Sequence, residues 1–248
     1  PALFGLMLLA LEGTLRLDSL RLCISSGEVL PEAVHAAWQE ATGLEMWSGY
    51  GATETMTFVI GSRPPETQPG KAGRAIPPYE AVILDADNRP APSGVPGHLG
   101  IRGPTVMTGY RNAPQWTRKV FTPDGFYLTG DMAVEEDGVF IILGRMDDMF
   151  KAGGLWVSPV RVENALLSHE AVAQCAVTGG AAAGFSLVRA HVVLKDGREL
   201  DEALRARLRE HAAARLPEFM IPTDIVGLKA LPLTASGKVK RYRLRQTA

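Results

Sequence analysis

Gly144-Arg145-Met146-Asp147-Asp148-Met149-Phe150-Lys151-Ala152-Gly153-Gly154-Leu155-Trp156-Val157-Ser158-Pro159 is the stretch on which the reading of this chain turns. A guanidinium, a carboxylate pair, a lysine and a glycine turn share one short run between apolar segments. A plain core segment has no use for so many polar groups, because each must find a partner when it leaves water. Before the run, Val139 to Leu143 reads as a strand that follows the turn Glu135-Glu136-Asp137-Gly138. Within it, Ala152-Gly153-Gly154 reads as a hairpin turn. At its end, Ser158 and Pro159 are the expected N-cap and first-turn proline of a helix through Leu167. Further on, Val172 to Thr178 and Val188 to Leu194 read as strands. Asp201 to Leu216 reads as an amphipathic helix that buries Leu204, Leu208, Ala212 and Leu216. Residues 147–248 are therefore expected to form a small α+β domain of their own, with the boundary at Asp147.

Upstream the texture differs. Leu20 to Ser25 reads as a short buried strand ending in Ser-Ser-Gly, Pro31 to Thr42 as a helix with Gly43 just past its end, and Leu44 to Trp47 as a second strand. Ala33, Ala37 and Ala41, joined by Val34 and Trp38, supply the helix with an apolar stripe. Strand–helix–strand order points to an α/β unit with a parallel pair, expected over residues 1–62. From Arg63 to Gly109, prolines and glycines punctuate short strands such as Glu80 to Leu84 and His98 to Arg102. That texture sets residues 63–146 apart as a β-rich subdomain completing a larger domain, 1–146. Gly94, Gly97, Gly100 and Gly103 read as turn glycines, since no strand-to-helix context supports a phosphate loop there.

The 248 residues are 46% hydrophobic and 21% charged, an ordinary globular composition. A formal net charge of -1 predicts no broad attraction to nucleic acid or membrane surfaces. Cys23 and Cys175 each sit in an apolar run and read as buried thiols in a reducing compartment. Phe4 to Leu11 is apolar but too short to span a bilayer and lacks the basic start of a signal peptide. A cytoplasmic location is expected. Residue 1 is Pro, so the chain is expected to begin after processing or partway through a longer protein.

Three further constellations accompany the opening run: Tyr50-Gly51-Ala52-Thr53-Glu54 after an expected strand end, Thr129-Gly130-Asp131, and Pro232-Leu233-Thr234-Ala235-Ser236-Gly237-Lys238. Each has an ordinary explanation. The first is a loop and the second a turn, Asp147-Asp148 is a solvated charge pair, and Lys238 opens a basic tail continued by Lys240, Arg241, Arg243 and Arg245. Lys238 is not a P-loop lysine, because Val239 replaces the required Ser or Thr. The histidines show no metal-ligand spacing, and no nucleophile elbow or dinucleotide fingerprint is present.

Taken together and in this order, the four constellations resemble the adenylate-forming superfamily of acyl-CoA synthetases, peptide-synthetase adenylation domains and luciferases. The phrase from Asp147-Asp148-Met149-Phe150-Lys151 to Val157-Ser158-Pro159 is most similar to aryl-acid CoA ligases of the benzoate type. The resemblance runs essentially end to end and implies the site. Tyr50 would stack on adenine beside Gly51, the Thr53 hydroxyl would meet the α-phosphate, and Glu54 would hold Mg2+, which favours hard oxygen ligands. Gly27, Glu28 and Val29 would lie on the adenine side, although a strand-to-helix loop explains them nearly as well. Gly49, Thr57 and Phe58 would line the acyl pocket, or equally be core. Asp131 would accept from both ribose hydroxyls, with Arg145 as a second ribose or phosphate contact.

The resemblance further makes Asp147 a hinge for a small domain that changes orientation between two half-reactions. Lys238 would bridge substrate carboxylate and phosphate during adenylation. Lys151, Gly153 and Gly154 would serve thioester formation, with glycine letting the pantetheine arm of coenzyme A pass close to backbone. His98 stands where the family usually has Glu, Arg161 where a helix start usually has its first Glu, and Ala181 to Gly184 where relatives tend to be acidic. These departures bear on the subfamily more than on the reaction. The family's Ser/Thr/Gly-rich phosphate loop is absent from residues 1 to 49.

The implied activity is ATP-dependent activation of a carboxylic acid, expected to be aromatic, to an acyl-adenylate and then a coenzyme A thioester. The chain would be the C-terminal portion of that enzyme, inactive in isolation and completed by the missing N-terminal portion, with a homodimer compatible. Two rivals stay open: an adenylation domain loading a carrier-protein phosphopantetheine, and a non-catalytic AMP-binding or interaction module.

Overall fold

A computed structural model describes residues 1–10, 17, 19–182, 185–195, 197–234 and 239–246. The chain is α/β in its first part and α+β in its second, and it divides into two compact units, Pro1–Met146 and Asp147–Ala248. No helix among the described residues is long and apolar enough to cross a membrane.

The first unit opens with α1 (Ala2–Ala10), β1 (Cys23–Ser26), α2 (Glu32–Thr42), β2 (Met46–Gly51), β3 (Phe58–Ser62) and β4 (Arg74–Ala75). The four strands form one sheet in that order. β1 and β2 are parallel with Ser26 opposite Gly49, which is the pairing the strand–helix–strand order predicts. β3 and β4 return antiparallel. Pro31 precedes the first turn of α2, and Gly43 ends it at φ 71° with its N–H donated to the Gln39 carbonyl. Trp38 is fully buried and meets Phe4 edge-on at 4.8 Å. It packs in a core with Cys23, Leu30 and Met46.

Three expectations are corrected here. The first strand is neither Leu20–Ser25 nor uniformly buried: it runs Cys23–Ser26 with alternating burial, leaving Ile24 41% exposed. A sheet covered on one face buries every second residue. Ala33 is exposed, so the buried stripe of α2 centres on Trp38. The second strand is displaced from Leu44–Trp47 to Met46–Gly51, which places Tyr50 and Gly51 inside a strand.

A second sheet of the same unit runs β5 (Glu80–Leu84), β6 (Gly97–Arg102), β7 (Tyr127–Glu136) and β8 (Val139–Arg145), antiparallel throughout, with α3 (Pro114–Val120) between β6 and β7. The β7–β8 turn is only Asp137-Gly138, both at positive φ, so Glu135 and Glu136 belong to the strand. Gly97 and Gly100 are strand residues, not turn residues. Gly97 is glycine because a Cβ there would lie 2.3 Å from the Leu84 carbonyl oxygen. The two sheets share a core of Val59, Ile60, Ile83, Leu99, Ile101, Ala133 and Phe140.

The second unit contains the hairpin β9 (Phe150–Ala152) and β10 (Leu155–Val157), α4 (Pro159–Leu167), β11 (Val172–Ala182), β12 (Phe185–Leu194), α5 (Glu202–Ala213), β13 (Asp224–Gly227) and α6 (Arg241–Gln246). β11, β12 and β13 form a sheet in that order. The Ser158 side chain caps α4 by accepting from the Arg161 N–H, and Asp201 caps α5 by accepting from the Leu204 N–H. Asp201 is thus the cap and not the first residue of the helix, which ends at Ala213 and not Leu216. Val177 and Cys175 face a core with Val162, Leu166, Leu204 and Leu208, while Ala176 turns to Leu231 and Leu244. That alternation puts α4 and α5 on one face of the sheet and α6 on the other. Both cysteines are free and buried.

Candidate functional site

The parallel pair β1–β2 decides where the first unit gathers its chemistry. Ser26 lies opposite Gly49, so Gly27-Glu28-Val29 leave the sheet at the same carboxyl edge where β2 ends in Tyr50-Gly51 and runs on into Ala52-Thr53-Glu54, the edge at which α/β sheets bind ligands. Gly27 has φ 84° and makes the turn there. Gly51 is equally constrained, since a Cβ would lie 2.2 Å from the Thr57 carbonyl oxygen. After Ala52 the chain makes a single 3-10 turn, Thr53–Thr55. Thr55, which is buried, holds that turn: its hydroxyl accepts the Ala52 N–H at 2.9 Å and reaches the Thr57 carbonyl at 3.0 Å. Thr53 is left exposed, with Glu54 beside it half-buried. The Thr105 hydroxyl donates to the Thr55 carbonyl and the Met107 N–H to that of Glu54, which braces the turn from another segment.

Tyr50, Asp131 and Arg145 come together. The Tyr50 hydroxyl donates to Asp131 Oδ2 at 2.5 Å, and Arg145 Nη1 stands 3.4 Å from Asp131 Oδ1. Cross-strand pairing of Asp131 with Arg145 in β7–β8 supplies the second contact. Arg145 also donates to the Thr129 carbonyl at 3.1 Å and lies over Gly130, whose φ is 75°. The Thr129 hydroxyl accepts the Asp131 N–H, which fixes the carboxylate's backbone. Burial, and then the Asp131 charge, push the Tyr50 hydroxyl far above its ordinary value, so it is a permanent neutral donor. Each Asp131 oxygen has two lone pairs, so one carboxylate can serve several donors at once.

Glu54 has a partner of the same kind. The Tyr110 hydroxyl donates to Glu54 Oε1 at 2.9 Å, and the Tyr127 phenol lies beside it. Partial burial raises both phenols, with the Glu54 charge adding to it. No residue pattern marks Tyr110 and Tyr127 as site residues, and Thr55 differs from Thr53 only in the direction it faces. The one available signal was the scarcity of tyrosine: only 5 occur in the chain, and three converge here. Gly49 is buried beneath the Phe58 ring, where a Cβ would meet the ring at 2.9 Å. Phe58 and Thr57 are exposed and do not belong to the core.

In the second unit the turn of the β9–β10 hairpin is Gly153-Gly154, at φ 57° and 82°. Lys151 is exposed and its ammonium lies 5.0 Å from the centroid of the Trp156 ring, its cross-strand partner. Phe150 seats the hairpin on Gly179, where a Cβ would come within 2.8 Å of the ring. Asp147 is exposed, whereas Asp148 is gripped by two arginines of α6: Arg245 Nη2 at 2.7 Å and Arg241 Nη1 at 3.7 Å. Arg241 Nη2 also reaches both Glu163 carboxylate oxygens, at 2.8 and 2.9 Å. The basic tail is thus partly a structural helix, not a wholly solvated end. Lys238, with residues 235–237, lies outside the described residues, as does part of the Ala181-to-Gly184 run.

Comparison with known proteins bears directly on these features. Residues 1–111 match the family of AMP-binding enzymes, and residues 161–238 match the AMP-binding enzyme C-terminal domain. A benzoate–CoA ligase of Thauera aromatica is 36% identical over 236 residues, covering 94% of this chain and 44% of that protein. A mitochondrial acyl-coenzyme A synthetase of Mus musculus is 34% identical, covering 99% of this chain and 44% of its own length. The crystal structure of an anthranilate CoA ligase in complex with anthranoyl-AMP superposes with a TM-score of 0.88 at 36% identity, covering 94% of this chain and 45% of that one. This chain therefore spans somewhat under half the length of the relatives it matches, and it belongs to the AMP-binding, adenylate-forming family of acyl-CoA ligases.

Proposed function

We propose that this chain works as the C-terminal part of an enzyme that joins a carboxylic acid, preferably aromatic, to coenzyme A at the expense of ATP. The observation that carries the reading is the meeting of Tyr50, Asp131 and Arg145 at the carboxyl edge of the parallel strands, beside a turn that presents Thr53 and Glu54. Tyr50 offers a ring to adenine and, through its hydroxyl, orients Asp131 toward the ribose. Gly27, Glu28, Val29 and Gly51 bring backbone to the base. Thr53 donates to the α-phosphate, and Arg145 adds a fixed cation nearby.

Glu54 suits Mg2+, because its second carboxylate oxygen has no protein partner among the described residues. When bound there, the ion supplies charge neutralisation to the phosphates. The acid's carboxylate oxygen attacks the α-phosphorus and pyrophosphate leaves. Lys238 balances the charge of that transition state. The coenzyme A thiolate then attacks the acyl carbon and AMP leaves, with Lys151, Gly153 and Gly154 presented to the thioester step after a swivel at Asp147. Gly49, Thr57 and Phe58 contribute to the acyl pocket. The relatives named as acting on benzoate and anthranilate support an aromatic acid.

The test is ATP–pyrophosphate exchange by the full-length enzyme with benzoate, 2-aminobenzoate and a linear acid of similar size. Exchange with the linear acid alone would remove the aromatic assignment. Thioester formation with coenzyme A, compared with a phosphopantetheinyl carrier protein, tests the acceptor. Tyr50→Phe keeps the ring and loses the donor to Asp131. A hydrogen bond to a charged group is worth about 1.5–3 kcal/mol, so AMP affinity should fall by about tenfold or more. Calorimetry showing unchanged AMP affinity would detach Tyr50 and Asp131 from nucleotide binding.

A further inference from the structure

We infer that Tyr110, backed by Tyr127, is a positioning residue for the metal-binding carboxylate Glu54. The inference rests on the proposal that Glu54 holds Mg2+. It goes beyond that reading in assigning a function to two residues that no sequence pattern singles out.

Tyr110 donates to Glu54 Oε1 at 2.9 Å, with the Tyr127 phenol beside it. A phenol has one proton and a carboxylate oxygen can only accept, so the Tyr110 proton lies on the line to Oε1. Tyr110 therefore has one good orientation, with its proton on Oε1. That leaves Oε2 as the oxygen open to a cation. Without the phenol, a half-exposed glutamate in the middle of a 3-10 turn samples several rotamers, and each degree of freedom lost on binding weakens the site.

The framework behind the pair is rigid. Tyr127 is 3% exposed at the start of β7, the strand that also carries Asp131. The Met107 N–H donates to the Glu54 carbonyl at 2.7 Å, tying the segment before Tyr110 to the same turn. Tyr110 is closed onto Thr117 of α3, whose hydroxyl accepts the Tyr110 N–H at 2.9 Å. Main chain and side chain of Glu54 are thus both held from the 107–110 segment. The arrangement matches the way groups behind a metal ligand fix its orientation, where removal of such a partner typically costs about 10–100-fold in metal affinity.

The experiment measures Mn2+, standing in for Mg2+, binding to the full-length enzyme with a non-hydrolysable ATP analogue, by electron paramagnetic resonance. Metal-free AMP affinity is measured in parallel. Tyr110→Phe is expected to weaken Mn2+ by about tenfold with AMP affinity unchanged, and Tyr127→Phe to shift it the same way by less. In a Glu54→Gln background, Tyr110→Phe should add nothing. Tyr242→Phe, an exposed tyrosine of α6, is the control. If Glu54→Gln weakens Mn2+ but Tyr110→Phe does not, the positioning role is overturned and the Glu54 assignment stands. If Tyr110→Phe lowers Mn2+ and AMP affinity alike, the residue is merely structural and the inference again falls. If Glu54→Gln leaves Mn2+ binding intact, the metal assignment fails, and the inference with it.

Discussion

Lys238→Ala in the full-length enzyme is expected to lower ATP–pyrophosphate exchange by about 10²–10³, the usual cost of deleting one group that stabilises charge developing in a transition state. The side chain is asked to do something particular. When a carboxylate oxygen closes on the α-phosphorus, two anions approach each other, and a cation touching both lowers the barrier more than it tightens either ground state. The loss should therefore appear in kcat more than in KM. Lys238→Arg should recover little, because a planar fork cannot replace a compact ammonium between two oxyanions. On either side of the residues outside the description, Leu233 and Val239 form an antiparallel bridge, and the Lys240 N–H donates to the Pro232 carbonyl at 2.7 Å. Thioester formation from supplied acyl-adenylate should survive the substitution, since that step forms no bond to phosphorus. Exchange at the wild-type rate in Lys238→Ala would return this residue to the basic tail.

How far the sequence foretells such features depends on how local they are. Ser158 and Gly43 were legible because a cap is a transaction between residues three or four apart. The parallel β1–β2 pair was legible from strand–helix–strand order. The bounds of short strands were not, because Leu20, Leu22 and Ile24 carry strand propensity whether or not anything covers them, and all three are exposed. Gly97 and Gly100 show the same limit from the other side. Their turn-like composition arises from close packing against a neighbouring strand, which no local window reveals. The site divides in the same way. Asp131, Glu54 and Tyr50 stand in recognisable phrases, yet what orients them arrives from far along the chain: Tyr50 meets Asp131 across 81 positions and Tyr110 meets Glu54 across 56. In a single sequence, a phenol that orients a carboxylate looks like any other tyrosine.

The pair Glu163–Arg241, 78 positions apart, is the most consequential of these distant contacts for stability. Glu163→Ala is expected to destabilise the second unit by about 3 kcal/mol or more, the lower end of the range for breaking a buried ion pair. Glu163 is only 8% exposed and holds two partners: the Arg241 guanidinium and the Val177 N–H, at 2.8 Å. Burial pushes its carboxyl up while Arg241 and the Val177 N–H hold it down, and the net direction is upward. Pairing therefore does not fully offset the desolvation of the carboxylate. The cost of truncation comes instead from what is left behind: a guanidinium only 21% exposed in its side chain and a strand N–H without its acceptor. Arg241 retains Asp148 at 3.7 Å, which is why the low end of the range applies. Glu163→Gln keeps an acceptor for Val177 and should lose less. Replacing both partners together, Glu163→Leu with Arg241→Met, should cost less than Glu163→Ala alone, because no buried charge remains and Asp148 keeps Arg245. Hydrogen exchange at the β11 and β12 amides reads this unit separately from the first. Equal protection in Glu163→Ala and the parent chain would show that the pair is a surface contact of little consequence. A double variant worse than the single would show that Arg241 and Glu163 stabilise the unit by attraction and not merely by satisfying each other.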